Sequence, residues 1–229
     1  DRLNFADKTL TVRSIHGPDR CIVRDNGLWN NTVYFNSSNK SSTVLQGFTF
    51  EGEHANQAYQ GGAIFCYDGA SPTILDCIIR DNVNSVGAAG INCFYASPTI
   101  INCTISRNIG YNGTGIMCWI SSPTITNCTI ADNVAYMEGT AGAMGAGITS
   151  VYGAPIITNC ILWGNSTKQI HVVGSPVPVV TYSNIQGAYS GTGNLNVDPQ
   201  FADPDNSIYR LTEGSGCLNR GINGVNPFL

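Results

Sequence analysis

The chain has 229 residues, of which 42% are hydrophobic and only 11% are charged, and its formal net charge is −4. This apolar content is too high for a disordered chain, and the scarcity of Lys and Arg, without a basic cluster, argues against a nucleic-acid partner. No apolar run reaches the roughly 18 residues of a transmembrane helix. We therefore expect a folded protein with no membrane span in this chain.

The first segment, residues 1–52, contains short β-prone runs at 9–12, 33–35 and 43–49. The second and third runs align with strands of the repeats that follow, so we expect degenerate early coils here. No amphipathic helix precedes the run at 9–12. Because natural repeat proteins cap exposed strand edges, we expect this first strand to be covered by an upstream segment or by a neighbouring protein subunit.

The central segment, residues 53–179, contains a clear internal repeat. Four similar runs end in Cys77, Cys103, Cys128 and Cys160, which are spaced 26, 25 and 32 residues apart. An Asn follows each Cys five residues later, and a Gly-rich entry with a short apolar strand precedes each run. Turn residues separate the β-branched runs and helical spacing is absent, which is typical of strands.

A unit this short cannot bury its own apolar face, so neighbouring units must stack. We predict an all-β fold, a right-handed parallel β-helix of about seven coils with roughly 25 residues and three short strands each. Equivalent positions then form ladders spaced about 4.8 Å apart. An asparagine ladder is expected at one turn, where Asn tolerates the left-handed backbone conformation; its members are Asn82, Asn108, Asn133 and Asn165.

The C-terminal segment, residues 180–229, leaves the repeat and is rich in turn residues. We predict an irregular cap here, which completes a single β-helix domain over residues 1–229. The chain starts within what looks like a repeat and stops abruptly, so we expect it to be a piece of a longer protein.

The Ser-Pro-Thr-Ile-x-Asn-Cys repeats at 97–103 and 122–128, with the ending at 198–217 and the opening run at 10–18, resemble a known family. They are similar to the bacterial secreted right-handed parallel β-helix repeat proteins of the pectate-lyase-like solenoid superfamily, of the type with a C-terminal surface-anchoring region downstream. The resemblance covers nearly the whole chain and implies a secreted or cell-surface location. It says little about function, because such proteins include adhesins, structural modules, polysaccharide lyases and glycoside hydrolases.

Seven of the nine cysteines fall into two ladders, one with Cys66, Cys93 and Cys118 and the other with Cys77, Cys103, Cys128 and Cys160. In-register residues on parallel coils lie about 4.8 Å apart, beyond the usual Cβ separation of about 3.5–4.5 Å in a disulfide. We therefore favour buried free thiols over disulfides or a metal site.

An outer aromatic stripe is predicted on the strands that follow the Gly-rich entries. Because side chains alternate along a strand, inward Ile and Cys place the residue after Cys outward, and these residues are Tyr67, Phe94 and Trp119. Phe65 and Met117, which precede Cys, would flank them as further ligand-binding residues. Exposed apolar stripes usually mark interaction sites, and a flat aromatic strip suits sugar rings. Cover by a loop, contact with a polysaccharide or cell-surface glycan, and contact with a protein all stay open.

Candidate catalytic groups are sparse. Glu53, His54 and Glu138 lie in the loops that we expect to enter the aromatic sheet. A glycosidase needs two carboxyl groups about 5–9.5 Å apart, whereas about three coils separate Glu53 from Glu138, which amounts to roughly 14 Å.

A candidate metal site lies in the C-terminal segment, where Asp198, Asp203 and Asp205 are close in the sequence. Two of them precede proline, which is typical of a turn. We therefore predict no cofactor, with Ca²⁺ at these aspartates as the alternative.

Low charge, exposed ladders and the lack of a close carboxylate pair favour a structural or adhesive module in a larger surface assembly. The alternative is a carbohydrate-active protein that uses the aromatic stripe, either as a lyase or hydrolase or as a non-catalytic glycan-binding module. Two carboxyl groups within about 9.5 Å on that face would favour an enzyme.

Overall fold

The computed structural model describes residues 3–24, 31–56, 61–136 and 144–224. Over these ranges the protein is an all-β, right-handed parallel solenoid of about six turns. The fold class is as predicted, and the number of turns is slightly lower than the seven coils expected. Each main sheet has seven strands within the described ranges. Seven stacked strands are separated by six intervals, which corresponds to six turns.

Sheet 1 carries the strands that follow the Gly-rich entries. Its strands, numbered in chain order with those of the other sheets, are β1 (Leu3–Asn4), β4 (Val33–Phe35), β8 (Ile64–Tyr67), β12 (Ile91–Phe94), β16 (Ile116–Trp119), β20 (Ile148–Val151) and β23 (Ile170–Val173).

Sheet 2 follows sheet 1 in each coil and contains β2 (Thr11–Arg13), β5 (Val44–Gln46), β9 (Thr73–Leu75), β13 (Thr99–Ile101), β17 (Thr124–Thr126), β21 (Ile156–Thr158) and β24 (Val179–Thr181). Sheet 3 comes next and contains β3 (Ile22–Arg24), β6 (Thr49–Glu51), β10 (Ile78–Arg80), β14 (Thr104–Ser106), β18 (Thr129–Ala131), β22 (Ile161–Trp163) and β25 (Asn184–Ile185).

A fourth, short sheet was not predicted. It contains the two-residue strands β7 (His54–Ala55), β11 (Val83–Asn84), β15 (Ile109–Gly110) and β19 (Val134–Ala135). Two residues are too few to show a period in the sequence, so these strands are recognised only by their pairing.

The interior is filled by apolar side chains that repeat at the same position of successive coils. On sheet 2 these are Ile74, Ile100, Ile125 and Ile157, and on sheet 3 they are Ile79, Ile105, Ile130 and Leu162, all fully buried. Burying one such side chain contributes about 1.5–3 kcal/mol, so the stacked columns are a major source of stability for a chain whose strands are so short.

The predicted asparagine ladder is confirmed. The Nδ2 group of Asn108 donates to Oδ1 of Asn133 at 2.9 Å and to the Ile79 carbonyl at 3.0 Å. Its Oδ1 accepts from the backbone N–H and the Nδ2 group of Asn82. The buried Asn108 amide therefore links its coil to the coils on both sides.

The prediction that these asparagines adopt the left-handed backbone conformation was wrong. The left-handed residues lie one position earlier, at Asp81, Arg107, Asp132 and Gly164, with φ of 54°, 55°, 55° and 70°. The residue before each Asn therefore turns the chain. The Asn side chain then points inward, where it can form hydrogen bonds to the neighbouring coil.

Close approach of the coils explains the Gly residues that precede the sheet 1 strands. A Cβ atom on Gly115 would lie 2.6 Å from the carbonyl oxygen of Gly147, and one on Gly90 would lie 2.3 Å from that of Gly115. Real Cβ atoms essentially never come this close, so a side chain at these positions would push adjacent coils apart.

The segment after β25 covers the last coil. The Ile185 N–H donates to the Leu195 carbonyl at 2.9 Å, and the Asn194 side chain donates to the Val180 carbonyl at 3.0 Å. Farther along, β26 (Phe201–Asp203) and β27 (Ile208–Leu211) form an antiparallel pair joined by a 3₁₀ helix at Pro204–Asn206. This segment therefore satisfies backbone groups that the repeat leaves open.

The β26–β27 pair also folds back on the outer side of sheet 3. Tyr209 donates its hydroxyl to Asp132 at 2.9 Å, and Arg107 donates to the Asp205 carbonyl at 2.7 Å. Burial, together with the Asp132 carboxylate, raises the pKa of Tyr209.

No helix among the described residues is long and apolar enough to cross a membrane.

We predict that replacing Asn133 by Leu lowers the free energy of unfolding by about 2–4 kcal/mol, because it leaves buried partners on Asn108, Ile105 and Asn165 unsatisfied. Urea unfolding followed by circular dichroism measures this change. The control is Asn56→Leu at an exposed position, where a change within about 0.5 kcal/mol is expected. Equal effects of the two substitutions would contradict the role of the ladder.

Candidate functional site

The three aromatic residues predicted to form a stripe occupy one position on adjacent strands of sheet 1. Phe94 on β12 pairs with Tyr67 on β8 and with Trp119 on β16. The preceding Cys93 is fully buried, whereas Tyr67 is 39% exposed and Phe94 and Trp119 are half-buried. The alternation of side chains therefore directs the aromatic stripe, Tyr67, Phe94 and Trp119, to the outer face.

The rings of the aromatic stripe stack on one another. The ring centroids of Tyr67 and Phe94 lie 6.2 Å apart with planes inclined by 23°, and those of Phe94 and Trp119 lie 6.0 Å apart at 15°. Both faces of the central ring are thus directed at its neighbours. The flat strip expected from the sequence is replaced by a stack that offers ring edges to a ligand.

Phe65 and Met117 lie on the same outer face, one column away from the stripe. Phe65 is only 3% exposed and packs between Tyr34 and Tyr67, with centroid distances of 5.7 Å to each. Met117 is 8% exposed and packs with Ala88. Phe65 therefore supports the stripe from the side, whereas Met117 lies at the bottom of a pocket.

This pocket, with a volume of about 350 Å³, opens beside the stripe. Its floor consists of Asn92, Phe94, Met117 and Trp119 from β12 and β16. Its rim comes from the loops that enter successive strands of sheet 1, with residues 86–88, Tyr111, Asn112 and Met144. We call it the outer pocket.

The rim residues of the outer pocket were not identified from the sequence. They lie in the Gly-rich entries, which vary from coil to coil and therefore show no ladder. The one available signal was the length of the insertion at 135–146, and Met144 of that insertion reaches the rim.

The polar groups of the outer pocket are uncharged. Asn92 is 3% exposed, and Oδ1 of Asn112 is shielded from solvent without a hydrogen-bond donor among the described residues. None of the described residues that line the pocket carries a charge. The described walls of the pocket therefore offer neither an acid–base pair nor a counter-charge.

The candidate catalytic residues do not meet at the stripe. Glu53 occupies the ladder position of its coil, where it is 1% exposed, its backbone N–H donates to Asn82, and its carboxylate accepts a hydrogen bond from Thr32. His54 follows on β7 with its side chain exposed. Glu138 lies outside the described residues. Glu53 thus belongs to the turn before the short sheet and joins the asparagine ladder through its backbone N–H.

The three aspartates of the candidate Ca²⁺ site have local roles. Asp198 accepts from the Gln200 N–H, and Asp203 caps the 3₁₀ helix through Asn206. The Asp205 carbonyl binds Arg107. Among the described residues, no group of three or more His, Cys, Asp or Glu side chains is arranged to hold a metal ion.

The nine cysteines are free, and the seven members of the two predicted ladders are buried. The Cys103 thiol donates to the Ile101 carbonyl, and the Cys103 N–H donates to the Cys128 sulfur. In the last coil Ser183 takes the same place, because its hydroxyl accepts from the Cys160 N–H. Burial raises the pKa of the Cys103 and Cys160 thiols well above the ordinary value. The thiols therefore act as small, buried hydrogen-bonding groups.

The comparisons with known proteins agree with this architecture. The chain matches the family described as "Right handed beta helix region" over residues 14–185. It belongs to this family, whose fold is consistent with a structural or a carbohydrate-active module. No curated protein and no solved structure matched the chain.

We predict that a thiol reagent will count nine thiols in denatured, unreduced protein. In the native protein, rapid reaction should be confined to Cys21 and Cys217, since the other seven are buried. The double variant Cys21→Ser/Cys217→Ser should therefore lose the rapid phase. A denatured count of one or none would contradict the free-thiol ladders.

Proposed function

We propose that this chain is an extracellular adhesive module that binds carbohydrate, without catalysis, in the outer pocket of sheet 1. The observation that supports this proposal most directly is the pocket itself, which Phe94 and Trp119 line together with residues of the entry loops. The extracellular location rests on the resemblance to secreted β-helix proteins.

The size and chemistry of the outer pocket suit one or two sugar units. Its volume of about 350 Å³ falls at the lower end of the range of about 300–1,000 Å³ found for small-molecule sites. Sugars present C–H groups, which pack on apolar side chains such as Phe94 and Trp119, and hydroxyl groups, which suit a polar rim residue such as Tyr111. The electropositive edges of Phe94 and Trp119 complement hydroxyl oxygens.

Binding is a better account of this pocket than catalysis. Glycoside hydrolysis requires two carboxyl groups about 5–9.5 Å apart, and the described lining of the pocket has no charged side chain. The buried carboxylate of Glu53 accepts a hydrogen bond from Thr32, and Glu53 is not among the described residues that line the pocket. We therefore assign to the pocket recognition of a glycan that stays intact.

A glycan array followed by calorimetry on the hits tests this proposal. Trp119→Ala should lower the affinity at least tenfold while the circular dichroism spectrum is unchanged, because the side chain lies on the outer face. Tyr67→Ala should also fold and should weaken binding less, since Tyr67 does not line the pocket.

The matched control is Tyr152→Ala, which removes an aromatic ring that is 55% exposed on the same side of the solenoid but outside the pocket. Its affinity should equal that of the unmodified protein. An array without hits, or a Trp119→Ala variant that binds normally, would refute the proposal.

We further propose a structural role for the first coil, in which an upstream segment or a neighbouring subunit covers its edge. Among the described residues, β2 pairs only with β5, and β3 pairs only with β6. The Leu10 carbonyl and the Ser14 N–H form backbone hydrogen bonds with the chain of β5. Because the backbone groups of successive residues in a strand point to opposite sides, those of Thr11 point to the open edge. Open edges promote pairing with another chain.

We predict that the isolated chain self-associates at high concentration through this edge. Thr11→Pro should keep the protein monomeric, because proline removes the outward N–H, whereas Thr11→Ala retains it and should associate as before. Size-exclusion chromatography with light scattering measures the mass. An unmodified chain that stays monomeric at high concentration would contradict the structural role.

A further inference from the structure

We propose that β23, the last strand of sheet 1, binds an extended segment of a different protein, which adds to the seven strands of this sheet. The segment carries an acidic residue at its start and apolar residues at alternate positions after it. The site lies at the end of the solenoid opposite to the first coil and is separate from the outer pocket. It combines an unpaired strand edge with a pocket at the end of an inward column of isoleucines.

The outer edge of β23 is unpaired among the described residues, because β23 pairs only with β20. The carbonyls of Gln169 and Val173 accept hydrogen bonds from the chain of β20, at 2.9 Å each. Since the backbone groups of successive residues in a strand point to opposite sides, those of Ile170 and Val172 point to the open edge. Their N–H and carbonyl groups can therefore pair with an added strand.

The C-terminal cap covers the last strands of the other two main sheets. The Tyr182 N–H, just after β24, donates to the Thr192 carbonyl, and the Leu195 N–H donates to the Ser183 carbonyl, just before β25. Residues 186–191, which lead from β25 to this layer, form no strand. The cap therefore takes the place of a further coil on sheets 2 and 3 and leaves its place on sheet 1 unfilled.

This arrangement excludes a second copy of the chain stacked in register on the same end. The first coil of such a copy would need room above all three main sheets, and the cap already occupies the place above two of them. A single extended segment needs only the place above β23. The occupant that fits is therefore one strand of another protein and not another solenoid.

The unfilled place adjoins a pocket of about 410 Å³. Ile148 is fully buried in the inward column of sheet 1 and pairs with Ile170, the last member of that column. Ile170 is only partly buried and lines the pocket together with Ile185 and Tyr189. An apolar side chain aligned with Ile170 would cover this end of the core, and the residue aligned with Val172 should also be apolar because side chains alternate. We call the open edge of β23 and this pocket the edge groove.

The edge groove favours an acidic residue at the start of the segment. Lys168 lies two residues before β23, is exposed and lines the pocket, whereas no described residue lining the pocket is acidic. Lys168 forms no ion pair among the described residues. Burial, together with the positive charge of Lys168, lowers the pKa of His171. A carboxylate aligned with Lys168 would balance this charge, and such an exposed pair gives specificity more than affinity.

Synthetic peptides test the inference by titration calorimetry. The neighbouring strands of sheet 1 are all parallel, so the added strand should be parallel too. The probe is acetyl-Asp-Thr-Ile-Thr-Val-Thr-amide, which aligns its Ile with Ile170 and its Val with Val172. It should bind at least ten times more tightly than acetyl-Asp-Ile-Val-Thr-Thr-Thr-amide, which has the same composition without the alternation.

Methylation of single peptide amides separates strand addition from unspecific apolar contact. In the parallel register, the N–H of the Thr between Ile and Val points to the Ile170 carbonyl, whereas the N–H of the Val points away from the protein. N-methylation of that Thr should therefore lower the affinity at least tenfold, and N-methylation of the Val should leave it unchanged. Equal effects of the two methyl groups would overturn strand addition.

The matched variants carry the same substitution at opposite ends of the solenoid. Val172→Pro removes an outward N–H from β23 and should lower the affinity for the probe at least tenfold, whereas Thr11→Pro should leave it unchanged. If Val172→Pro fails to fold, the N-methylated peptides with the unmodified protein decide in its place.

A charge exchange tests the acidic residue. The unmodified protein should prefer the acidic probe over the same peptide with Lys in place of Asp, and Lys168→Glu should reverse this preference. A preference that Lys168→Glu leaves unchanged would overturn the assignment of the acidic residue.

The remaining outcomes decide the occupant. Absence of binding by the acidic probe, or equal binding of the two peptide orders, would overturn the proposal. Self-association of the unmodified chain that Val172→Pro abolishes would assign the edge groove to a second copy and would also overturn it. Glycan binding in the outer pocket is measured with other ligands and other variants, so neither result bears on it.

Discussion

The hydrogen-bonded ladder of inward asparagine side chains is the interaction on which the rest of this structure depends. The strands are only two to four residues long, so no coil is stable by itself. The amide of Asn108 bonds to Asn82 in one direction and to Asn133 in the other. Because these bonds form at one register only, they also align the buried isoleucines, the thiols and the outward aromatic residues.

The outer pocket combines two kinds of structure that depend on this register in different ways. Its floor comes from in-register positions of β12 and β16, so the spacing between Phe94 and Trp119 follows from the solenoid itself. Its rim comes from entry loops that do not repeat, including Asn112 and Met144. The shape of the floor is therefore set by the repeat, whereas the shape of the rim is set by loops that differ from coil to coil.

Those features of the fold and site that repeat could be predicted from the sequence, because a ladder position shows the same residue type in every coil. The buried columns and the outward direction of Trp119 follow from this rule. The rule failed for Glu53, a ladder residue of a different type, which was therefore interpreted as a loop residue. It also could not reveal Asn112, because the contact of this loop with Met117 is specific to one coil and has no counterpart to compare.

The unequal coil lengths have an evolutionary consequence. Ladder asparagines 25, 26 and 32 residues apart form the same hydrogen bonds, so an insertion between them is absorbed outside the stacked columns. Mutation and insertion can therefore reshape the entry loops while the core is conserved. A lineage built on this solenoid can therefore change the surface that its loops form, with variable loops on a constant framework.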